Sequence, residues 1–285
     1  MILFRELKGE IIIENFYKTD DCKLYQGDCL EVMDELIKNN IKVDMILTDP
    51  PYGTTACKWD SVIPLDKMWE RINELIKPTG CIALFSSQPF TTKLADSNIN
   101  NFKYCWYWEK SKPNGFQHSK NKPMKAVEEI CIFSKAPIGH KSQLGDRRME
   151  YNPQGIVSIG EKVVKNCSHS GNTMGGENGK SSRPNQVGRH YEAFTGFPSD
   201  ILKYNNITGT KCLHPTQKPV DLLEYLINTY TNENELVLDF TMGSGSTGVA
   251  CMNINRNFIG IEKEEKYCDI SKERIINNKK EIVND

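Results

Sequence analysis

Two short apolar runs, each stopping abruptly in a loop of small residues and lone carboxylates, constrain this chain more than any other feature. Val43-Asp-Met-Ile-Leu47 passes directly into Thr48-Asp-Pro-Pro-Tyr-Gly53, and Glu235-Leu-Val-Leu-Asp-Phe240 passes into Thr-Met-Gly-Ser-Gly-Ser-Thr-Gly248. Apolar runs of this kind, bounded by turn residues, read as buried strands. Around them the apolar spacing turns helical. Leu65, Met68, Trp69, Ile72, Leu75 and Ile76 share one face, and Lys77-Pro-Thr-Gly80 ends that helix. Val220, Leu222, Leu223, Leu226, Ile227 and Tyr230 make a second such face, Gly248 to Met252 begins a third helix, and Tyr267 to Asn277 makes the last. Cys81–Phe85 and Phe258–Ile261 are further strands, and the aromatic run Phe102–Trp108 with Glu129–Phe133 supplies two more.

Alternating strands and helices predict an α/β fold with a mostly parallel sheet covered on both faces by helices. In such sheets ligands bind beyond the carboxyl ends of the strands, where both loops fall. The character changes between about Lys135 and Gly209. Gly, Asn, Ser and Pro become frequent, and core periodicity fades. The expected organisation is residues 1–134, a loop-rich segment 135–210, and residues 211–285 completing the domain begun by the first part.

Charge is unevenly spread. Residues 101–218 carry 18 Lys and Arg against 9 Asp and Glu, so with −1 overall the rest of the chain carries −10. One basic surface for a polyanion is the expectation, against the plainer reading of a solvated lysine-rich face. No stretch of apolar residues is long enough to span a membrane, and Met1 to Glu10 lacks the apolar core of a signal peptide, so a cytoplasmic protein is expected. The ten cysteines include no Cys-x-x-Cys pair, and several sit in apolar runs, as small buried hydrophobes do. Cys167, His169, His190, Cys212 and His214 match no common zinc spacing, and no metal is expected.

The two loops carry chemistry. Two prolines stiffen the first, which fixes one carboxylate (Asp49), one carbonyl (Pro50) and one aromatic face (Tyr52) in a constant relation. Together these can accept both N–H bonds of a planar amine and stack its ring. The competing view is a Pro-Pro turn that merely closes a strand. In the second loop, Gly243, Gly245 and Gly248 spell G-x-G-x-x-G between a strand and a helix. That pattern suits a nucleotide or nucleoside ligand in general. Glu262, at the end of the next strand, can hold two ribose hydroxyls, or can be a surface residue of a charged run.

Asp49-Pro-Pro-Tyr52, His214-Pro-Thr-Gln-Lys-Pro219 and Asp239-Phe-Thr-Met-Gly-Ser-Gly-Ser-Thr247, in that order, resemble the β-class DNA amino-methyltransferases over about Cys22 to Arg274. The resemblance implies a Rossmann-like, seven-stranded, mostly parallel sheet with an antiparallel hairpin, S-adenosyl-L-methionine as cofactor, and double-stranded DNA as partner, with a homodimer left open. It implies that Asp49, Pro50 and Tyr52 grip a flipped base. Asp239, Phe240, Gly243, Gly245 and Thr247 would line the cofactor pocket, and Glu262 would bind its ribose. Asp28 and Cys29, in Gln26-Gly-Asp-Cys-Leu30, would meet its adenine, and Thr216 and Lys218 its methionine end. Segment 135–210 becomes the target-recognition region, with Arg147, Arg148, Arg183 and Arg189 as expected DNA contacts, and Asn114, Gln117, Asn185 and Gln186 as further candidates for reading adenine.

Methylation at cytosine carbon 5 needs a cysteine that in its family follows proline, and none of the 13 prolines here precedes a cysteine. The aspartate form of the first motif leans to adenine N6 over cytosine N4. Two rival readings are a nicotinamide-dependent oxidoreductase, which leaves the Asp-Pro-Pro-Tyr loop idle, and an inactive DNA-binding subunit, which leaves Asp49 and Tyr52 without a task.

Overall fold

The computed structural model describes residues 4–7, 10–13, 15–54, 60–163, 190–207 and 212–284. The chain divides into a larger unit, Met1–Asn152 with Asp200–Asp285, and a smaller one, Pro153–Ser199. In chain order the strands are β1 (Phe4–Leu7), β2 (Glu10–Ile13), β3 (Asn15–Lys18), β4 (Cys22–Gln26), β5 (Val43–Thr48), β6 (Ile76–Ser86), β7 (Phe102–Asn114), β8 (Lys125–Phe133), β9 (Val157–Val163), β10 (His190–Thr195), β11 (Ile201–Tyr204), β12 (Leu236–Asp239) and β13 (Asn257–Glu262). The helices are α1 (Cys29–Lys38), α2 (Leu65–Leu75), α3 (Phe90–Asp96), α4 (Lys141–Leu144), α5 (Val220–Tyr230), α6 (Ser246–Asn253) and α7 (Glu265–Asn284).

Nine strands form one sheet in the order β11-β7-β8-β6-β5-β12-β13-β4-β3. Strands β4, β13, β12, β5 and β6 run parallel. The hairpin of β7 and β8 adds antiparallel to β6. The expected seven strands are therefore the consecutive middle of a nine-stranded sheet. The two extra strands lie at its edges, β3 antiparallel to β4 and β11 parallel to β7. Each is four residues long, too short to show a period in sequence.

Helices cover both faces, which is why the central strands are apolar throughout rather than alternating. Along β5, Met45 and Leu47 join the core that contains Leu222, Leu223 and Leu226 of α5 and Ala250 of α6. Ile46 points the other way, into the core of Val32 and Met33 from α1 and Met68 and Ile72 from α2. No helix among the described residues is long and apolar enough to cross a membrane.

The smaller unit contains β9 paired antiparallel with β10 across a bulge near Glu192. Its bounds are narrower than the loop-rich segment 135–210. Residues 135–152 belong to the larger unit, where Ala136 and Met149 are buried in the core and the Asn152 N–H donates to Thr229 O at 2.6 Å.

Candidate active site

Strands β5 and β12 are hydrogen-bonded neighbours in parallel register, Val237 beside Met45 and Leu238 beside Ile46. Two motifs almost 200 residues apart in sequence therefore emerge side by side at one edge. Threonines tie them together. Thr48 Oγ1 donates to Asp239 Oδ1 at 2.6 Å, Thr247 Oγ1 donates to Asp239 Oδ2 at 2.6 Å, and Thr241 Oγ1 donates to the Asp49 carbonyl at 3.1 Å. The Thr241 N–H adds a further bond to Asp239 Oδ1 at 3.1 Å. Burial pushes the Asp239 carboxyl up to about 6, against the pull of these donors. Asp239 is thus a pin between the two loops as well as a wall of the cavity.

Asp49 sits in a chain of buried charges. Its Oδ2 accepts from Lys218 Nζ at 2.7 Å, and its Oδ1 accepts from the Tyr52 hydroxyl. Lys218 Nζ also donates to Glu128 Oε1 at 2.8 Å, and Lys110 Nζ pairs with Glu128 Oε2 at 2.6 Å. Burial opposes every charge here, yet Lys218 and Lys110 overcome it at Glu128 and hold that carboxyl at about 2. At Lys218, likewise, Asp49 and Glu128 outweigh burial and raise the pKa above the ordinary lysine value, so the ammonium stays charged. Burial prevails over the neighbouring ammonium at Asp49 and raises its pKa, which makes it a more basic acceptor than a surface aspartate. Burial, reinforced by Asp49 and Glu128, keeps the Tyr52 hydroxyl protonated. The Tyr52 ring stacks on Phe90 with centroids 5.3 Å apart. The Pro50 carbonyl accepts no hydrogen bond among the described residues.

The glycine-rich loop follows β12. Gly243 has φ +51° and donates its N–H to Glu262 Oε2 at 2.9 Å. Glu262 also accepts from the Glu264 N–H at 2.8 Å, and burial raises its pKa. Gly245, at φ +76°, starts α6, and a Cβ there would fall 2.7 Å from Ser271 Cβ. Its glycine is required by conformation and by contact with α7. Beside this loop Asp28 caps α1 by accepting from the Leu30 N–H at 3.0 Å. Burial pushes the Cys29 thiol up to about 12, so Cys29 is a neutral, weakly polar wall.

One cavity of about 300 Å³ is lined by all the expected catalytic and cofactor residues except Gly245. A volume of this order suits a small organic ligand. Thr216 reaches it beside His214, with Thr216 Oγ1 3.1 Å from His214 Nδ1. Lys218 lines it too, but its ammonium is bound to the Asp49 and Glu128 carboxylates. Of the expected DNA contacts, Arg147 is exposed and Arg148 half-buried, whereas Arg183 and Arg189 lie outside the described residues, as do Asn185 and Gln186. Asn114 and Gln117 are exposed. Among the described residues no group of His, Cys, Asp and Glu converges on a metal position. Cys167 and His169 lie outside them.

Sequence reasoning missed Glu128 and Lys110. One signal was available. Glu128 opens the apolar run Glu129–Phe133 on a strand otherwise bound for the core, where an ionised carboxylate needs a partner.

A mostly parallel sheet thus brings a glycine-rich turn, the carboxylate of Glu262 and the Asp49 loop to the wall of one cavity, the layout of an α/β protein that binds its ligand beyond the strand ends. The comparisons name the class further. A family model for DNA methylases of the N6/N4 type matches residues 43–273. The type II methyltransferase M1.MboII of Moraxella bovis is 28% identical over 256 residues, covering 86% of this chain and 93% of that protein. The crystal structure of the M1.HpyAVI–SAM complex superposes with a TM-score of 0.57 at 28% identity, over 89% of this chain and 98% of that one. The PvuII cytosine-N4-specific DNA methyltransferase shares the fold, with a TM-score of 0.59 at 16% identity over 95% of each chain. The chain belongs to the N6/N4 DNA methylase family and is a β-class, S-adenosylmethionine-dependent DNA amino-methyltransferase.

Proposed function

We propose that the chain methylates adenine N6 in double-stranded DNA, taking the flipped base into the cavity beside Asp49. The observation that carries this reading is the shared cavity. It sets a rigidly held amine acceptor, Asp49 with Pro50, next to the glycine-rich loop and Glu262. The cavity fits the cofactor in its chemistry. Glu262 offers a carboxylate for ribose hydroxyls, Asp28 an acceptor for an adenine amine, and the glycine loop a close backbone approach. When bound there, S-adenosylmethionine supplies an electrophilic methyl group.

The residues of the chain do the rest. An exocyclic amine is a poor nucleophile because its lone pair is delocalised into the ring. Accepting its two N–H bonds at the Asp49 carboxylate and the Pro50 carbonyl favours a pyramidal nitrogen and stabilises the positive charge that develops. The raised pKa of Asp49 suits it to take a proton from that nitrogen at a carboxylate oxygen. Phe90 backs one face of Tyr52, and the target base would stack on the other. Stacking of this kind contributes roughly 1–3 kcal/mol, which offsets part of the cost of flipping.

The choice of adenine over cytosine rests on the aspartate that opens the first motif. The fold does not discriminate, since a cytosine-N4 enzyme has it too. The deciding experiment incubates the protein with unmethylated DNA and labelled S-adenosylmethionine, then identifies the product nucleoside by mass spectrometry. N6-methyldeoxyadenosine is expected. N4-methyldeoxycytidine would overturn the base assignment, and unlabelled DNA would overturn the reading altogether.

Two further outcomes follow. Glu262→Ala should weaken binding of S-adenosylhomocysteine about 10- to 100-fold in calorimetric titration, as expected for loss of a charged hydrogen bond of roughly 1.5–3 kcal/mol. Unchanged binding would remove Glu262 from the cofactor site. The basic middle of the chain, including Arg147, Arg148, Arg183 and Arg189, is assigned to target recognition. Exchanging residues 135–210 for the equivalent segment of a relative should change the methylated sequence, read by modification-sensitive sequencing of plasmid DNA. An unchanged site would put recognition elsewhere.

A further inference from the structure

The hairpin of β7 and β8 ends in a tip that differs from the rest of the surface. Residues 110–127 carry Lys110, Lys112, Lys120, Lys122 and Lys125 and no acidic residue. At the apex Gly115, at φ +92°, leads into a single 3₁₀ turn, Phe116–His118. The turn is held by its own backbone, His118 N–H to Gly115 O at 2.9 Å and Ser119 N–H to Phe116 O at 3.0 Å. Below it, Asn206 braces β7, accepting from Ser111 Oγ at 3.0 Å and donating from Nδ2 to Lys112 O at 3.2 Å.

Phe116 is 78% exposed, the highest value of any large hydrophobic side chain among the described residues. A lone exposed phenylalanine needs no explanation by itself. This one stands at the apex of a hydrogen-bonded turn, and Lys112, Lys120 and Lys122, close to it in sequence, are exposed as well. The stem of the same hairpin supplies Lys110 and Glu128 to the chain of charges that holds Asp49. Lys125 of β8 lies three residues before Glu128, and strand rise makes that separation about 10 Å. One hairpin therefore carries both the basic tip with its exposed Phe116 and two members of the chain of charges that holds Asp49.

We infer that this tip enters the DNA duplex at the target, with Phe116 wedged into the stack where the flipped base has left and the lysines on the flanking phosphates. Duplex DNA, rather than a protein, is the occupant that the charge complements. Apolar side chains inserted between base steps serve this purpose where a duplex must be opened. The inference rests on the DNA-methylation reading.

The test uses the full chain and oligonucleotide duplexes carrying the methylated site mapped with the wild-type protein. Phe116→Ala should lower kcat/KM on a matched duplex about 10- to 100-fold, because unstacking costs a few kcal/mol. Binding of S-adenosylhomocysteine should stay unchanged. On a duplex with an abasic site opposite the target, where flipping is already easy, the loss should shrink to less than about threefold. Phe116→Trp should retain most activity on both. An adenine analogue that fluoresces when unstacked, placed at the target, should brighten with wild type and much less with Phe116→Ala. Equal activity of Phe116→Ala and wild type on the matched duplex would overturn the wedge, as would an equal loss on both duplexes. A wild-type protein that methylates no DNA would overturn the function itself and this inference with it.

Discussion

Asp49→Ala should lower methyl transfer by at least about 10²–10³ while leaving cofactor binding nearly intact. In the proposed reading Asp49 meets the target amine from the loop after β5, whereas the cofactor contacts come mainly from the β12 loop and Glu262. Losing one preorganised acceptor of developing charge accounts for that loss of rate, and losing orientation of the base adds to it. The fold should survive the change. Lys218 keeps its bond to Glu128 at 2.8 Å, and the Tyr52 hydroxyl still has Glu128 Oε1 at 3.2 Å. Calorimetric titration with S-adenosylhomocysteine beside a radiolabelled transfer assay separates the two effects. Were Asp49 only a turn residue, its loss would lower stability and leave turnover of the folded protein near normal. Near-normal methylation by Asp49→Ala would sink the mechanism.

Lys218→Met should be the most damaging single substitution for the folded state of the site. The ammonium lies between two carboxylates, at 2.7 Å from Asp49 and 2.8 Å from Glu128, and Lys218 is 8% exposed. Removing one member of a buried ion pair typically costs about 3–5 kcal/mol, because the remaining charge is left unpaired. Glu128 keeps Lys110, so the orphaned charge falls chiefly on Asp49. Methyl transfer should fall with stability, since Asp49 would then protonate or swing away. The double variant Lys218→Met with Asp49→Asn should regain part of the lost stability but no activity. That non-additivity is the signature of a direct pair. Chemical denaturation of the four proteins measures it. A Lys218→Met protein within about 0.5 kcal/mol of wild type would show that the pair contributes nothing, as many exposed ion pairs do.

The same residue shows where reading a sequence runs out. Lys218 was expected at the methionine end of the cofactor because of its motif, His214-Pro-Thr-Gln-Lys. Lys218 lines the cavity, and its partners are two carboxylates, one from the loop after β5 and one from β8. Nothing local to residues 214–219 encodes that. Asp28 is a second case. It lines the cavity as expected, yet one of its oxygens also caps α1, a task that its place before Cys29-Leu-Glu already announced.

What the sequence by itself determined is the set of elements and the chemistry at their ends. Apolar periodicity, stiff prolines and glycines at positive φ act over a few residues, so strands, helices and both loops could be read before any pairing was known. Six strands of the sheet belong to that set, while the seventh and the antiparallel hairpin were implied only by the family resemblance. Only the tertiary structure decided the rest. Pairing β5 with β12 brought Asp49 beside Asp239, and folding the hairpin onto β6 carried Glu128 and Lys110 to Lys218. It also drew residues 135–152 into the main core and added the four-residue edge strands. The physical reason is range. A buried charge and a short edge strand are stabilised by partners far along the chain, and no local pattern records which partners those will be.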